Sequence, residues 1–181
     1  PTGKVFRVGT TVTEKVHALD QHGQPIIGLF VTFFGSGPGQ QNCNVSCGSS
    51  TTDDQGTASY TYAGNTQGNT QVTGVVTTDN NSNNELGRVT DRVGFDGVPS
   101  IHAPRSRHLA GRVHVFGHTR PGAIVRLFAK AKGHAHYHFV LRHRANGSGN
   151  YSFRPRISKT TRFYVRVDRI VNSGVRKVRV T

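Results

Sequence analysis

The chain has 181 residues, of which 34% are hydrophobic and 18% charged, with a net charge of +14, two cysteines and neither methionine nor tryptophan. That length allows one large domain or two of about 90 residues. Its longest apolar stretch, PIIGLFVTFFG (25–35), is broken by Gly28 and Thr32 and is too short for the roughly 20 residues of a membrane-crossing helix, so no membrane insertion is expected.

The chain opens PTGKVF, without the charged and apolar regions of a secretory leader, and is expected to be a piece of a longer polypeptide ahead of the alternative, a mature secreted chain. Its charge is uneven. Residues 1–97 carry five basic and eight acidic side chains, net −3, whereas residues 98–181 carry 18 basic ones and a single acid, Asp168, net +17. Eight of the ten histidines also lie in the second stretch. A merely soluble surface mixes both signs, so the basic half is expected to face an acidic partner.

No stretch shows the apolar period of a helix. Short apolar runs instead alternate with turn residues about every ten positions, the pattern of a β-sandwich. In the first half strands are predicted over Val5–Val8, Val12–Leu19, Leu29–Phe34, Ala58–Tyr62, Gln71–Thr77 and Gly87–Val93. DQHGQP (20–25), GSGPGQQ (35–41), DDQG (53–56) and TTDNNSNNELG (77–87) read as turns, because Asp and Asn close local side-chain turns and Gly supplies positive φ. Asp20, Asp53 and Asp54 also invite a calcium reading, but calcium wants six to eight oxygens and turn formation already accounts for these residues.

Cys43 and Cys47 stand in QNCNVSCGSS. Two ligands do not close a zinc site. Their polar spacing suits a small disulfide ring that staples a loop, worth about 2 kcal/mol by chain entropy, with two idle thiols as the alternative. A disulfide implies an oxidising compartment.

VTEKVHALDQHGQPIIGLFVTFFGSGPG (12–39) followed by SSTTDDQGTASYTYAGNTQGNTQVTGVV (49–76) resembles the bacterial immunoglobulin-like domain of the invasin/intimin type. Asp20, Gly23, Pro25, Gly28, Val31 and Phe33 occupy the first block of that pattern, and Thr52, Gly56, Ala58 and Tyr62 the second. Val72 opens the third, with Gly74 where the family usually has Ala, and the Cys43–Cys47 loop is an insertion. The resemblance spans about residues 5–95 and implies a non-enzymatic spacer or adhesin module of a cell-surface protein.

FDGVPSIHAP (95–104) lacks a strong pattern and marks a boundary. Seven more strands are predicted after it: Pro99–Ala103, Arg112–Gly117, Ile124–Ala131, Tyr137–Arg144, Tyr151–Ile157, Phe163–Arg169 and Val175–Val180. GHTRPGAIVRLFA, RANGSGNYSF and TTRFYVRV are similar to small immunoglobulin-like domains repeated in secreted actinobacterial proteins, although the dense arginines depart from them. The expected fold is all-β, two tandem immunoglobulin-like β-sandwiches, over residues 1–96 and 97–181.

GHAHYHFVLRHR (133–144) poses the functional question. On a strand, alternate side chains share a face, which sets Ala135, Tyr137, Phe139 and Leu141 against His134, His136, His138 and Arg142. The same split separates Val113 and Val115 from Arg112, His114 and Phe116. It separates Val125 and Leu127 from Arg126 and Phe128, and Phe163, Val165 and Val167 from Arg162, Tyr164 and Arg166. The outward set reads first as a solvated face. For a metal, a pair from His134, His136 and His138 would need His114 or His118 from a neighbouring strand, with no acid to orient the rings, and neither a metal nor another cofactor is expected.

The third reading is a polyanion face of Arg112, Arg126, Lys130, Arg142, Arg144, Arg154 and Arg166, whose guanidinium forks match phosphate, sulfate and carboxylate. Phe116, Phe128 and Tyr164 interleave with these charges and are able to stack on bases. No nucleic-acid-binding signature is present, so an acidic glycan or cell-wall polymer is expected ahead of nucleic acid. Head-to-tail self-association of the acidic half on the basic half is a further candidate. Acidification, which charges imidazoles, should then tighten binding. No Gly-rich phosphate loop, metalloprotease helix or nucleophile elbow occurs, and the chain is not expected to be an enzyme. The expected role is a non-catalytic spacer or adhesion module of a bacterial cell-surface or secreted protein. The alternatives are a polyanion-binding module and an immunoglobulin-like decoration on a virion or extracellular filament.

Overall fold

The structure is a computed structural model that describes residues 4–37, 43–79, 84–108 and 110–181, and for residues 43–45 the backbone alone. It divides into two compact units, Pro1–Phe95 and Asp96–Thr181. The turns expected over 35–41 and 77–87 fall partly outside the described residues. Among those residues the chain is all-β, without an α-helix.

Unit 1 contains β1 (Lys4–Arg7), β2 (Thr11–His17), β3 (Phe30–Ser36), β4 (Cys43–Thr51), β5 (Thr57–Ala63), β6 (Gly68–Thr77) and β7 (Glu85–Asp96). One sheet runs β1-β7-β6-β3-β4, and β2 pairs with β5 in the other. Alternation makes the core: β2 and β5 send Val12, Val16, Ala58 and Tyr62 inward to meet Val31, Phe33, Val72, Val93 and Phe95. Seven strands in two facing sheets form an immunoglobulin-like sandwich. Strand β4 was not expected. Its sequence CNVSCGSST has no apolar alternation, and it forms because β3 offers a free edge for antiparallel pairing, Phe30 opposite Thr51 through Phe33 opposite Gly48.

Three turns repeat one hydrogen-bond pattern across both units. Asp20 Oδ1 accepts from the amides of His22 and Gln24, both at 2.8 Å. Asp53 Oδ1 accepts from Gln55 and Thr57, and Asn146 Oδ1 from Ser148 and Asn150. The fourth residue in each is a glycine with positive φ: Gly23 (78°), Gly56 (68°) and Gly149 (79°). In each case that glycine's amide also donates to the carbonyl of the first residue. The carboxylates of Asp20 and Asp53 therefore serve turns, and Thr52 ties the same end together by donating to the Ile26 carbonyl and accepting from the Leu29 amide.

Unit 2 contains β8 (Ser106–Arg107), β9 (Gly111–Arg112), β10 (Val115–His118), β11 (Ile124–Ala131), β12 (His138–Arg144), β13 (Asn150–Phe153), β14 (Arg156–Ile157), β15 (Thr161–Val167), β16 (Val171–Asn172) and β17 (Arg176–Val180). One sheet runs β12-β11-β15-β17-β8, with β16 also on β15; β10 pairs with β13 and β9 with β14. Between them lies a core built on Val115, Leu127, Phe153, Phe163, Val165 and Val178. This is a second immunoglobulin-like sandwich. The strand expected over Pro99–Ala103 is reduced to an isolated bridge, His102 opposite Phe116. The strand expected over Tyr151–Ile157 is two short ones, broken at Arg154 and Pro155, because proline has no amide to donate.

The face assignment of residues 134–142 is corrected. Only His138 of the three histidines belongs to β12; His134 and His136 lie in the connection from β11. A bulge then pairs Leu127 with Leu141 but Phe128 with Phe139, so that Val140 has no partner. The extra residue shifts the alternation by one. Phe139 thereby joins Phe128 on the outer face, and Val140 turns to the core instead. Leu141, opposite buried Leu127, is 42% exposed because β12 is an edge strand.

Candidate polyanion-binding face

On the outer face of β12, β11 and β15 the register aligns like with like. Arg142, Arg126 and Arg166 are direct cross-strand partners in one row. Two residues further along β11, Phe139, Phe128 and Tyr164 form the next row. A third row is cationic again, Lys130 opposite Arg162 and Arg162 opposite Lys177. Strand geometry sets the two cationic rows about 13 Å apart with the aromatic row between them.

The aromatic row is packed against itself. Phe128 and Tyr164 stack at 4.9 Å with an interplanar angle of 5°, Phe139 meets Phe128 edge-on at 6.0 Å, and the Arg166 guanidinium lies 5.4 Å over Phe128. Arg126, Arg142, Arg166 and Arg169 line a shallow groove of about 680 Å³ that also contains Phe139 and Leu141. Arg169 reaches it from a turn in which two successive non-glycine residues, Asp168 (φ 43°) and Arg169 (φ 66°), are left-handed. Asp168 fixes that turn: its Oδ1 accepts from the Ile124 amide at 2.9 Å and its Oδ2 from Arg120 Nη2 at 2.6 Å.

Both acids of unit 2 are therefore spent away from the face. Asp96 is fully buried and takes Arg120 Nε at 2.7 Å, and Asp168 takes the other side of the same guanidinium. Burial, with the Asp168 carboxylate adding to it, pushes the Asp96 carboxyl above its ordinary range although Arg120 pulls it down. Among the described residues, none of the face's cations has a carboxylate within ion-pair distance.

The seven cations expected from the sequence do not share one surface. Arg126, Lys130, Arg142 and Arg166 come together as described. Arg144 lies beyond the arginine row, donating to the Gly122 carbonyl at 2.9 Å. Arg112, in β9, and Arg154, between β13 and β14, lie apart from this row, and with Arg107 and His114 they line a separate groove of about 400 Å³. The rings of His134 and His138 are 6.4 Å apart, and His114 is on the β9–β10 side with its ring stacked on Phe116 at 4.8 Å. Among the described residues no group of three or more His, Cys, Asp or Glu is placed to hold a metal. Arg162, Lys177 and Arg169 were missed as site residues. The first was legible as outward-facing, but cross-strand register and a left-handed turn leave no signature in the sequence.

Unit 1 offers a different environment. Glu14 is buried against Tyr62, 3.9 Å from Lys4, and these strands line a cavity of about 350 Å³. Burial raises both the Glu14 carboxyl and the Tyr62 hydroxyl above their ordinary values.

No protein-family model matches the chain, and no curated protein matches it. Solved structures similar to it include the C-terminal 282-residue fragment of intimin in complex with the translocated intimin receptor (Tir) intimin-binding domain. That fragment is 17% identical, covering 93% of this chain and 57% of that one, at a TM-score of 0.48. The D0–D1 domain of intimin is 12% identical, covering 98% and 95%, with a TM-score of 0.43. Superoxide reductase (neelaredoxin) from Ignicoccus hospitalis is 13% identical over 48% of this chain and 82% of that one, with a TM-score of 0.40. Likenesses this distant carry no argument about family or function, and the fold stands on the strand order above.

Proposed function

We propose that the chain is a non-catalytic segment of a bacterial surface or secreted protein, in which unit 1 is a spacer or adhesive module of the invasin/intimin type and unit 2 holds an acidic polymer. The observation that carries this reading is the arginine row. Like charges placed directly opposite each other on neighbouring strands repel, yet Arg142, Arg126 and Arg166 are aligned across three strands, and among the described residues no carboxylate lies within ion-pair distance of them. An anion lying across the row removes that repulsion and is met by guanidinium forks.

Retention on immobilised heparin tests it. The full chain is expected to bind at pH 7.5 and elute with salt, because exposed charges are screened beyond about 8 Å at physiological ionic strength. Serine at Arg126, Arg142 and Arg166 together should lower the eluting salt, whereas serine at Arg7 and Lys15 of unit 1 should not. Retention that ignores salt, or that survives the triple substitution unchanged, contradicts the reading.

The spacing of the cysteines supports an extracellular or cell-surface setting. Gly35 pairs with Cys43 and Phe33 with Gly48, so two residues of β3 span five steps of β4. The ends of that β4 segment are then about 7 Å apart and the chain between them bulges, which brings the backbone of Cys43 and Cys47 within reach of a disulfide ring. Alkylation of the natively purified chain is expected to label neither cysteine before reduction and both after it. Labelling without reduction removes the support for an oxidising compartment.

A further inference from the structure

The groove also selects among polyanions, an inference that rests on the polyanion reading above. We propose that it takes an acidic polysaccharide, lying along β11 with anionic groups on the two cationic rows and apolar sugar faces against Phe139 and Leu141.

Two observations separate this ligand from other polyanions. First, the groove is not purely cationic: Phe139 is 52% and Leu141 42% exposed beside Arg126 and Arg142. Exposed apolar surface gathered at a charged groove marks a ligand with apolar surface of its own, which inorganic polyphosphate lacks. Second, the rings are poorly available to nucleobases. Base stacking needs an open ring face, but Phe128 has Tyr164 on it at 4.9 Å and the Arg166 guanidinium at 5.4 Å. Tyr164 has Tyr137 edge-on at 5.0 Å as well as Phe128 stacked on it, and Phe139 is the ring of the row that is most exposed, edge-on to Phe128. A polymer alternating apolar rings with carboxylate or sulfate groups meets both conditions, using the guanidinium forks for its anions. Arg169 supports a built site rather than a stray patch. Two consecutive left-handed residues hold it at the groove, and such strain persists where the surroundings over-determine it, commonly at ligand clamps.

The experiment is calorimetric titration of the full chain at fixed low salt with four probes of matched charge: a heparin oligosaccharide, oligogalacturonate, linear polyphosphate and oligo-dT. The first two distinguish sulfate from carboxylate as the favoured group. Phe139→Ser removes an exposed ring, and its thermal transition is recorded to show that the fold is kept. It is expected to weaken both saccharides about three- to tenfold and leave polyphosphate unchanged. Arg126→Ser is expected to weaken every probe about tenfold. If polyphosphate or oligo-dT binds as tightly as the better saccharide, or if Phe139→Ser leaves saccharide affinity unchanged, the polysaccharide assignment is overturned while the polyanion reading stands. If Arg126→Ser changes nothing for any probe, the polyanion reading fails and takes this assignment with it.

Discussion

Arg120→Met is expected to destabilise unit 2 by about 3–5 kcal/mol, the usual consequence of removing one partner from a buried ion cluster. Arg120 is 8% exposed and Asp96 fully buried, and this guanidinium bonds Asp96 on one side and Asp168 on the other. Without it, Asp96 keeps a buried carboxylate whose second oxygen already has no partner. Asp168 loses one of the two bonds that orient it, which loosens the turn that carries Arg169. The loss should appear as a lower denaturant midpoint for β11 and β15 amides followed by hydrogen exchange. A cost below about 1 kcal/mol, the scale of an exposed pair, contradicts the account.

The same cluster sets an acid-range dependence. Burial holds the Asp96 carboxyl above its unfolded value. The folded chain therefore binds that proton more tightly than the unfolded one. The stabilisation is fully present below the unfolded value and is lost as pH rises through the folded value. Asp96→Asn should flatten stability across that window.

The second large effect is expected at Gly149. Its φ of 79° is left-handed, and a Cβ there would sit 2.1 Å from the Thr119 carbonyl oxygen and 2.8 Å from His118 Nε2. Left-handed backbone costs a residue with a Cβ about 1–2 kcal/mol, and overlap with fixed backbone adds about 1–3 kcal/mol, so Gly149→Ala should destabilise by about 2–5 kcal/mol. Gly133 is the control. Its φ of 93° is also left-handed, but a Cβ would meet nothing within 4 Å. Gly133→Ala should therefore show the conformational cost alone. Equal losses in the two variants would mean that contact with Thr119 does not constrain the turn.

Much of the fold is legible in the sequence because short-range chemistry decides it. The strict alternation of IVRLFAKA and TRFYVRV gives the inward and outward sets of β11 and β15 directly. The D/N-x-x-G tetrads announce three turns whose side-chain and glycine roles are local. Other parts depend on partners far along the chain. Strand β4 lacks a pattern of its own and exists because β3 has a free edge. The bulge at Val140 reverses a face assignment that alternation alone makes wrongly. Arg120 lies 24 residues from Asp96 and 48 from Asp168, so one charged residue among many basic ones looks no different from its neighbours until the fold closes. The candidate face divides in the same way: which residues point outward is readable, but that Arg142, Arg126 and Arg166 align, while Arg112 and Arg154 line a separate groove, is a matter of register and strand breaks.

Backbone-amide NMR of the full chain, titrated with a heparin oligosaccharide at low salt, addresses the binding face most directly. The shifts are predicted to cluster on β11, β12 and β15 around Arg126, Arg142 and Arg166 and at the Arg169 turn, and to fade as salt is added. Shifts centred on Arg107, Arg112 and Arg154, or within unit 1, or none at all, would contradict it.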